Sequence, residues 1–176
     1  MGTSNTKARQ DTVFRGGIPK LKTYTRAMVK RKHSERMEIK EGFVAIEDGA
    51  FMNLSKTHEI VLPDTLVRIG DNAFRNCMHL ASVTIPEHVE YIGEAAFMEC
   101  RKLEHIELPK MTRRIRARTF KLCKSLKEIA LPAPLTILGE NAFLDCDHLQ
   151  SIRIPAQIDT VRFRTFSGCG SLEQVI

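Results

Sequence analysis

At 176 residues, with 43% hydrophobic side chains and a formal charge of +6, the chain has the size and composition of one globular domain. No apolar run approaches the ~18 residues that a membrane span needs, and the first 30 residues lack the hydrophobic block of a secretory signal, so an intracellular, cytoplasmic or nuclear location is the expectation. The positive charge is not a general basic surface: residues 1–42 carry +7 and the remainder −1.

Residues 1–26 hold Gly16-Gly17 and scattered charge, which predicts a flexible basic tail. Val29 to His33 (VKRKH) has the look of a basic import signal, a common and unspecific run. Residues 27–42 read as a degenerate N-terminal capping turn. Stepping back 23 residues from Ala50-Phe51 reaches Ala27-Met28, and from Ile60 and Leu62 it reaches Met37 and Ile39, with Arg31 in a slot that later holds cysteine.

From residue 43 to 176 the chain repeats. Phenylalanine stands at 51, 74, 97, 120, 143 and 166, and each interval is 23 residues. Cysteine keeps the same step at 77, 100, 123, 146 and 169, leucine at 80, 103, 126, 149 and 172, and proline at 63, 86, 109, 132 and 155. Four columns in register define six turns, the last incomplete.

One turn can be read as structure. In LASVTIP (80–86), Val83 and Ile85 alternate with Ser82 and Thr84, the period of a short strand with one buried face, and Pro86 ends it. Val89 and Ile92 return to the interior, and Gly93 offers backbone freedom at a corner. Glu94 to Cys100 (EAAFMEC) favours one short helical turn. About six inward side chains per turn cannot be buried alone, but stacked turns bury them.

The wording LxxIxLPxxVxxIGxxAFxxC resembles the BspA-type leucine-rich repeat over residues 43–176. The resemblance implies an α/β, right-handed leucine-rich-repeat solenoid, with a concave parallel sheet of short strands and short helical or extended convex segments. It also implies an interaction or adhesion module in place of an enzyme, with no cofactor. Two departures stand out. Arg116 and Arg162 occupy the column of Gly70, Gly93 and Gly139, and the first turn has Leu54 and Thr57 where Cys and Leu recur.

Stacked turns also decide the reading of the cysteines. Parallel side chains ~4.8 Å apart fit neither a disulfide ladder nor a tetrahedral zinc site, so each cysteine is expected to be a small buried packing residue. Ser82, His105 and Glu128 share a column, yet an open face offers no oxyanion hole and no exclusion of water, so no catalytic residue is assigned.

The outward columns of the concave strands are the expected partner-binding surface: Glu59, Ser82, His105, Glu128 and Ser151 in one, Thr84, Glu107 and Arg153 in the other. A second candidate is an anion-binding corner, where Arg116 and Arg118 recur as Arg162 and Arg164 two turns later. The function expected is a non-catalytic protein-interaction scaffold. The alternatives are a surface adhesion module, or a phosphate or nucleic-acid binder using the basic arm and the arginine corner; the lack of tryptophan weakens base stacking. Ile176 falls in mid-strand, which predicts end-to-end self-association.

Overall fold

The computed structural model describes residues 22–29 and 34–176; the tail at 1–21, and the residues 30–33 that include most of the basic run and Arg31, lie outside the described residues. Twelve short strands follow one another: β1 (Thr23–Tyr24), β2 (Arg36–Glu38), β3 (Ala45–Ile46), β4 (Glu59–Val61), β5 (Arg68–Ile69), β6 (Ser82–Thr84), β7 (Tyr91–Ile92), β8 (His105–Glu107), β9 (Arg114–Ile115), β10 (Ile137–Leu138), β11 (Ser151–Ile152) and β12 (Gln174–Val175). All pairings are parallel. One sheet runs β2-β4-β6-β8 and is continued after a break by β11-β12; the other, on the return arm, runs β1-β3-β5-β7 and is continued by β9-β10. Register follows the 23-residue step, as in Ser82 opposite His105 and Arg68 opposite Tyr91. The product is a parallel β-solenoid of about six turns.

Burial turns the sequence columns into internal spines. Phe51, Phe74, Phe97, Phe120 and Phe143 are fully buried, and their rings stack with centroids 5.1–5.8 Å apart. Such offset stacks add dispersion to the removal of ring surface from water. The step of 23 fails only at the base. There Thr23 pairs with Ala45, the Tyr24 ring stacks on Phe51 at 5.4 Å, and Met28, the residue that the arithmetic places below Phe51, is exposed. In the first turn, Thr57 occupies the leucine slot fully buried, and its hydroxyl donates to the Ser34 carbonyl at 3.0 Å.

The expected helical turn is absent. The described residues contain no α-helix, only one 3₁₀ turn at Arg26–Met28. In the segment from Glu94 to Cys100, Ala95 (φ 52°) and Glu99 (φ 64°) are left-handed, and the same two positions are left-handed in every turn from Gly49 and Asn53 to Arg164 and Gly168. The left-handed residues turn alternate amides out of the coil. Thus Ala95, Phe97 and Glu99 donate their N–H to the carbonyls of Ala117, Thr119 and Lys121 in the next coil, while Met98 and Cys100 close back three residues. Three hydrogen bonds to a neighbouring coil outweigh the helix preference of Ala, Glu and Met, because a single helical turn would satisfy almost none of its own amides. The α/β description therefore gives way to a solenoid with almost no helix.

The glycine column works by space and not by positive φ. At Gly70, Gly93 and Gly139 an added Cβ would lie within 2.6 Å of backbone atoms of the preceding coil. Each of these glycines donates to that coil, at Ile46, Ile69 and Ile115. Where the column holds Arg116 and Arg162, the equivalent bonds to Ile92 and Leu138 are not made, and the return-arm sheet stops between β7 and β9. The Phe97–Phe120 and Phe143–Phe166 pairs, at 5.8 and 5.6 Å, are the two widest of the phenylalanine stack and belong to the same two joints. Glu47 is tolerated in this column because the chain below it swings into the 3₁₀ turn, whose Arg26 N–H its carboxylate accepts at 2.8 Å.

It follows that Gly93→Ala should unzip the joint beneath it. The bonds from Glu90, Tyr91 and Gly93 to Val67 and Ile69 would be strained or lost, at a cost of about 3 kcal/mol. Chemical denaturation measures this; an unchanged midpoint would mean that the column is not set by close approach.

Candidate functional site

On the face of the first sheet, period-2 alternation puts Ile60, Val83, Ile106, Ile129 and Ile152 inside and leaves their neighbours outside. Glu59, Ser82, His105, Glu128 and Ser151 are exposed in one column, with Glu59 opposite Ser82, Ser82 opposite His105, and Glu128 opposite Ser151. Thr84 lies opposite Glu107 in the other column, which continues through Ala130 to Arg153, all exposed. Ser82 and His105 are thus register neighbours on an open sheet, but no ladder joins His105 to Glu128.

The sheet is interrupted at that step. A hollow of about 520 Å³ lies there, walled by His105, Glu107, Glu128, Ser151 and Arg153, with Ala130 and buried isoleucines as its floor. Ala130 leaves the room, because the positions before and after it in the column carry long charged chains. The carboxylates of Glu107 and Glu128 and the guanidinium of Arg153 make no ion pair with described residues, whereas Glu59 is held by Arg36 at 3.1 Å. Beside the hollow, the missing backbone bond is replaced by a side-chain brace: Lys127 Nζ donates to Glu104 at 2.9 Å, and this hydrogen bond, with the ammonium charge, holds the Glu104 carboxyl below the usual range.

The four arginines of the expected corner do not form one cluster. Arg118 is paired with Glu94, and Arg164 lies over its neighbour Phe163 at 5.0 Å. Arg116 instead lies 4.2 Å from the centroid of the Tyr91 ring, which Arg68 approaches at 3.9 Å, while the Tyr91 hydroxyl meets Asp71 at 3.2 Å. Arg162 joins Arg114 and Arg116 around a shallow hollow over Gly139. Arg68, Tyr91 and Arg114 occupy one column, and that spacing places a cation beside the ring from below; from above it is Arg116 and not the column neighbour Arg114 that lies over it.

The cysteines form a third spine. Cys77, Cys100, Cys123 and Cys146 are fully buried, Cys169 half-buried, and each Sγ donates to a phenylalanine carbonyl one coil back at 3.1–3.2 Å. Burial pushes the Cys77 thiol up to about 12 and raises those of Cys100, Cys123 and Cys146 as well. These are neutral packing groups. No set of three or more metal-ligating side chains converges among the described residues.

Stacked parallel rungs, a buried phenylalanine spine and an exposed polar sheet face define a leucine-rich-repeat solenoid. The model of the BspA-type leucine-rich repeat region matches residues 34–175 in six copies, and the chain belongs to that family. The crystal structure of the leucine-rich repeat protein of T. pallidum is similar at 27% identity and a TM-score of 0.78, over 81% of this chain and 69% of that one. A leucine-rich repeat protein from Eubacterium ventriosum shares the fold at 16% identity and a TM-score of 0.61, over 81% of this chain, which spans 41% of that protein. No curated protein sequence matches the chain. Among the described residues no helix is long and apolar enough to cross a membrane.

Proposed function

We propose that the chain is a non-catalytic protein-interaction module that binds its partner on the exposed face of the β2-β4-β6-β8 sheet and its continuation. The observation that carries this is the hollow over Ala130, where Glu107, Glu128 and Arg153 have no ion-pair partner among the described residues. Three charged groups left uncompensated on a rigid sheet favour a partner that supplies the opposite charges, a basic group toward the two glutamates and an acidic one toward Arg153. The fold and family are consistent with this role, and with adhesion as a special case of it.

The test is a double charge exchange, Glu107→Arg with Arg153→Glu. Both side chains are exposed, so the variant should unfold at the same denaturant midpoint as the parent. Any partner captured by the parent should bind the variant at least tenfold more weakly. A partner retained undiminished would place the interface elsewhere.

A further inference from the structure

Among the described residues, the joint beneath Arg116 is where the two strand sheets break at successive steps of the coil. On the return arm β7 and β9 do not pair with each other, and on the other arm β8, paired below with β6, has no strand above it. In place of strand ladders, the turn segments are laced across it by the backbone bonds from Ala95, Phe97 and Glu99 and from Ser125 to Arg101, with the Arg118–Glu94 and Lys127–Glu104 pairs beside them. At the closed joints the return-arm amides donate to the coil below, as Glu90, Tyr91 and Gly93 do to Val67 and Ile69. The corresponding amides of Arg113, Arg114 and Arg116 face the open joint without a backbone acceptor among the described residues.

A groove of about 1030 Å³ straddles this joint, with Tyr91 and Ile92 on the lower side and Arg113, Arg114 and Arg116 on the upper. None of those three guanidinium groups has a carboxylate within ion-pair distance among the described residues. One of them is held in place: Arg116 lies on the Tyr91 ring, which is fixed in turn by its hydroxyl bond to Asp71. The acidic groups that also line the groove, Asp64, Glu87 and Glu90, stand on the two coils below. In the groove lining the guanidinium groups therefore stand above the joint and the carboxylates below it. On the same upper coil Thr112 buries a hydroxyl that has no hydrogen-bond partner among the described residues.

Unpaired amide donors and arginine forks converging on one gap make the donor set that tetrahedral oxyanions take. We propose that the groove beneath Arg116 binds a phosphate or sulfate group, held by the guanidinium forks of Arg114 and Arg116 and by the backbone N–H groups that the open joint leaves free. The site exists because an arginine replaces glycine in the column. The same substitution opens the ladder and supplies the charge. This proposal is independent of the interaction face on the other sheet.

Titration of the protein with inorganic phosphate, followed by the amide resonances of Arg114 and Arg116, tests it, with sodium chloride at matched ionic strength as the control. Saturable shifts confined to this joint are expected. Arg116→Gly restores the residue of three other coils, so the variant folds, its amide pairs with Ile92, and phosphate binding should weaken at least tenfold. Arg116→Lys keeps a Cβ and a charge but loses the fork, so the joint should stay open while binding weakens several-fold. Phenyl phosphate separates the sources: equal affinity for it points to a phosphoryl ester on a larger molecule, and preference for the free ion points to phosphate itself. Shifts that chloride reproduces, or that Arg116→Gly leaves unchanged, would overturn the site.

Discussion

Above about pH 9 the protein is expected to lose stability at roughly 5 kcal/mol per pH unit, far faster than a domain whose thiols are exposed. The four buried cysteines carry this. In the unfolded chain a cysteine ionises near ~8.5, whereas burial holds Cys77 up at about 12 and raises Cys100, Cys123 and Cys146. The folded-state values lie above the unfolded ones, so the stabilisation is complete below the unfolded value and lost as pH rises toward the folded ones. Within that window the folded chain holds about four more protons than the unfolded chain, each worth about 1.4 kcal/mol per pH unit. A domain with the usual stability of about 5–15 kcal/mol should then unfold between about pH 9.5 and 11.5.

Urea midpoints across that range measure the slope, and thiolate absorbance shows whether ionisation accompanies unfolding. In Cys100→Ala the slope should fall by about a quarter, whatever the variant's starting stability. Thiolate absorbance that rises while the protein is still folded would contradict the burial argument.

Phe97→Ala should cost about 3–5 kcal/mol, the range for removing a buried ring whose surroundings cannot collapse. Phe97 is fully buried between Phe74 at 5.2 Å and Phe120 at 5.8 Å, with the laced turn segments fixing the coil on both sides. The position also matters. A solenoid is held coil to coil, so a gap beside the joint where both strand sheets stop should uncouple the two halves. Denaturation followed by two probes, one in each half, should resolve two transitions in the variant and one in the parent. The same change at half-buried Phe166, which has a ring on one side only, should cost about half as much. Equal losses at both sites would mean that the stack is not the source of the coupling.

The exposed columns were legible because strand period and repeat length are both integers. Ser82, His105 and Glu107 must share a face once the 23-residue step sets the register. The hollow over Ala130 was not legible, since it depends on where the sheet breaks and not only on which residues line it. The arginine corner was half legible. Arg116 and Arg162 are on one column, but Arg118 is drawn off by Glu94, a partner 24 residues away on the coil below. Membership of a column says nothing about which of several neighbouring charges a long side chain will choose.

The 23-residue spacing determined by itself that turns stack, that phenylalanine and cysteine form internal spines, and that the cysteines pack and do not react. Identical residues at one step can occupy only one position in a repeated coil, and burial then sets their chemistry. Only the tertiary structure decided that the segment from Glu94 to Cys100 carries two residues with left-handed φ and no helix, because its alternate amides are satisfied by the next coil, which propensity along the chain does not register. It also decided the role of the glycine column. Whether a Cβ fits depends on backbone atoms of the preceding coil, within 2.6 Å across the joint, and that distance exists only once the coils are stacked.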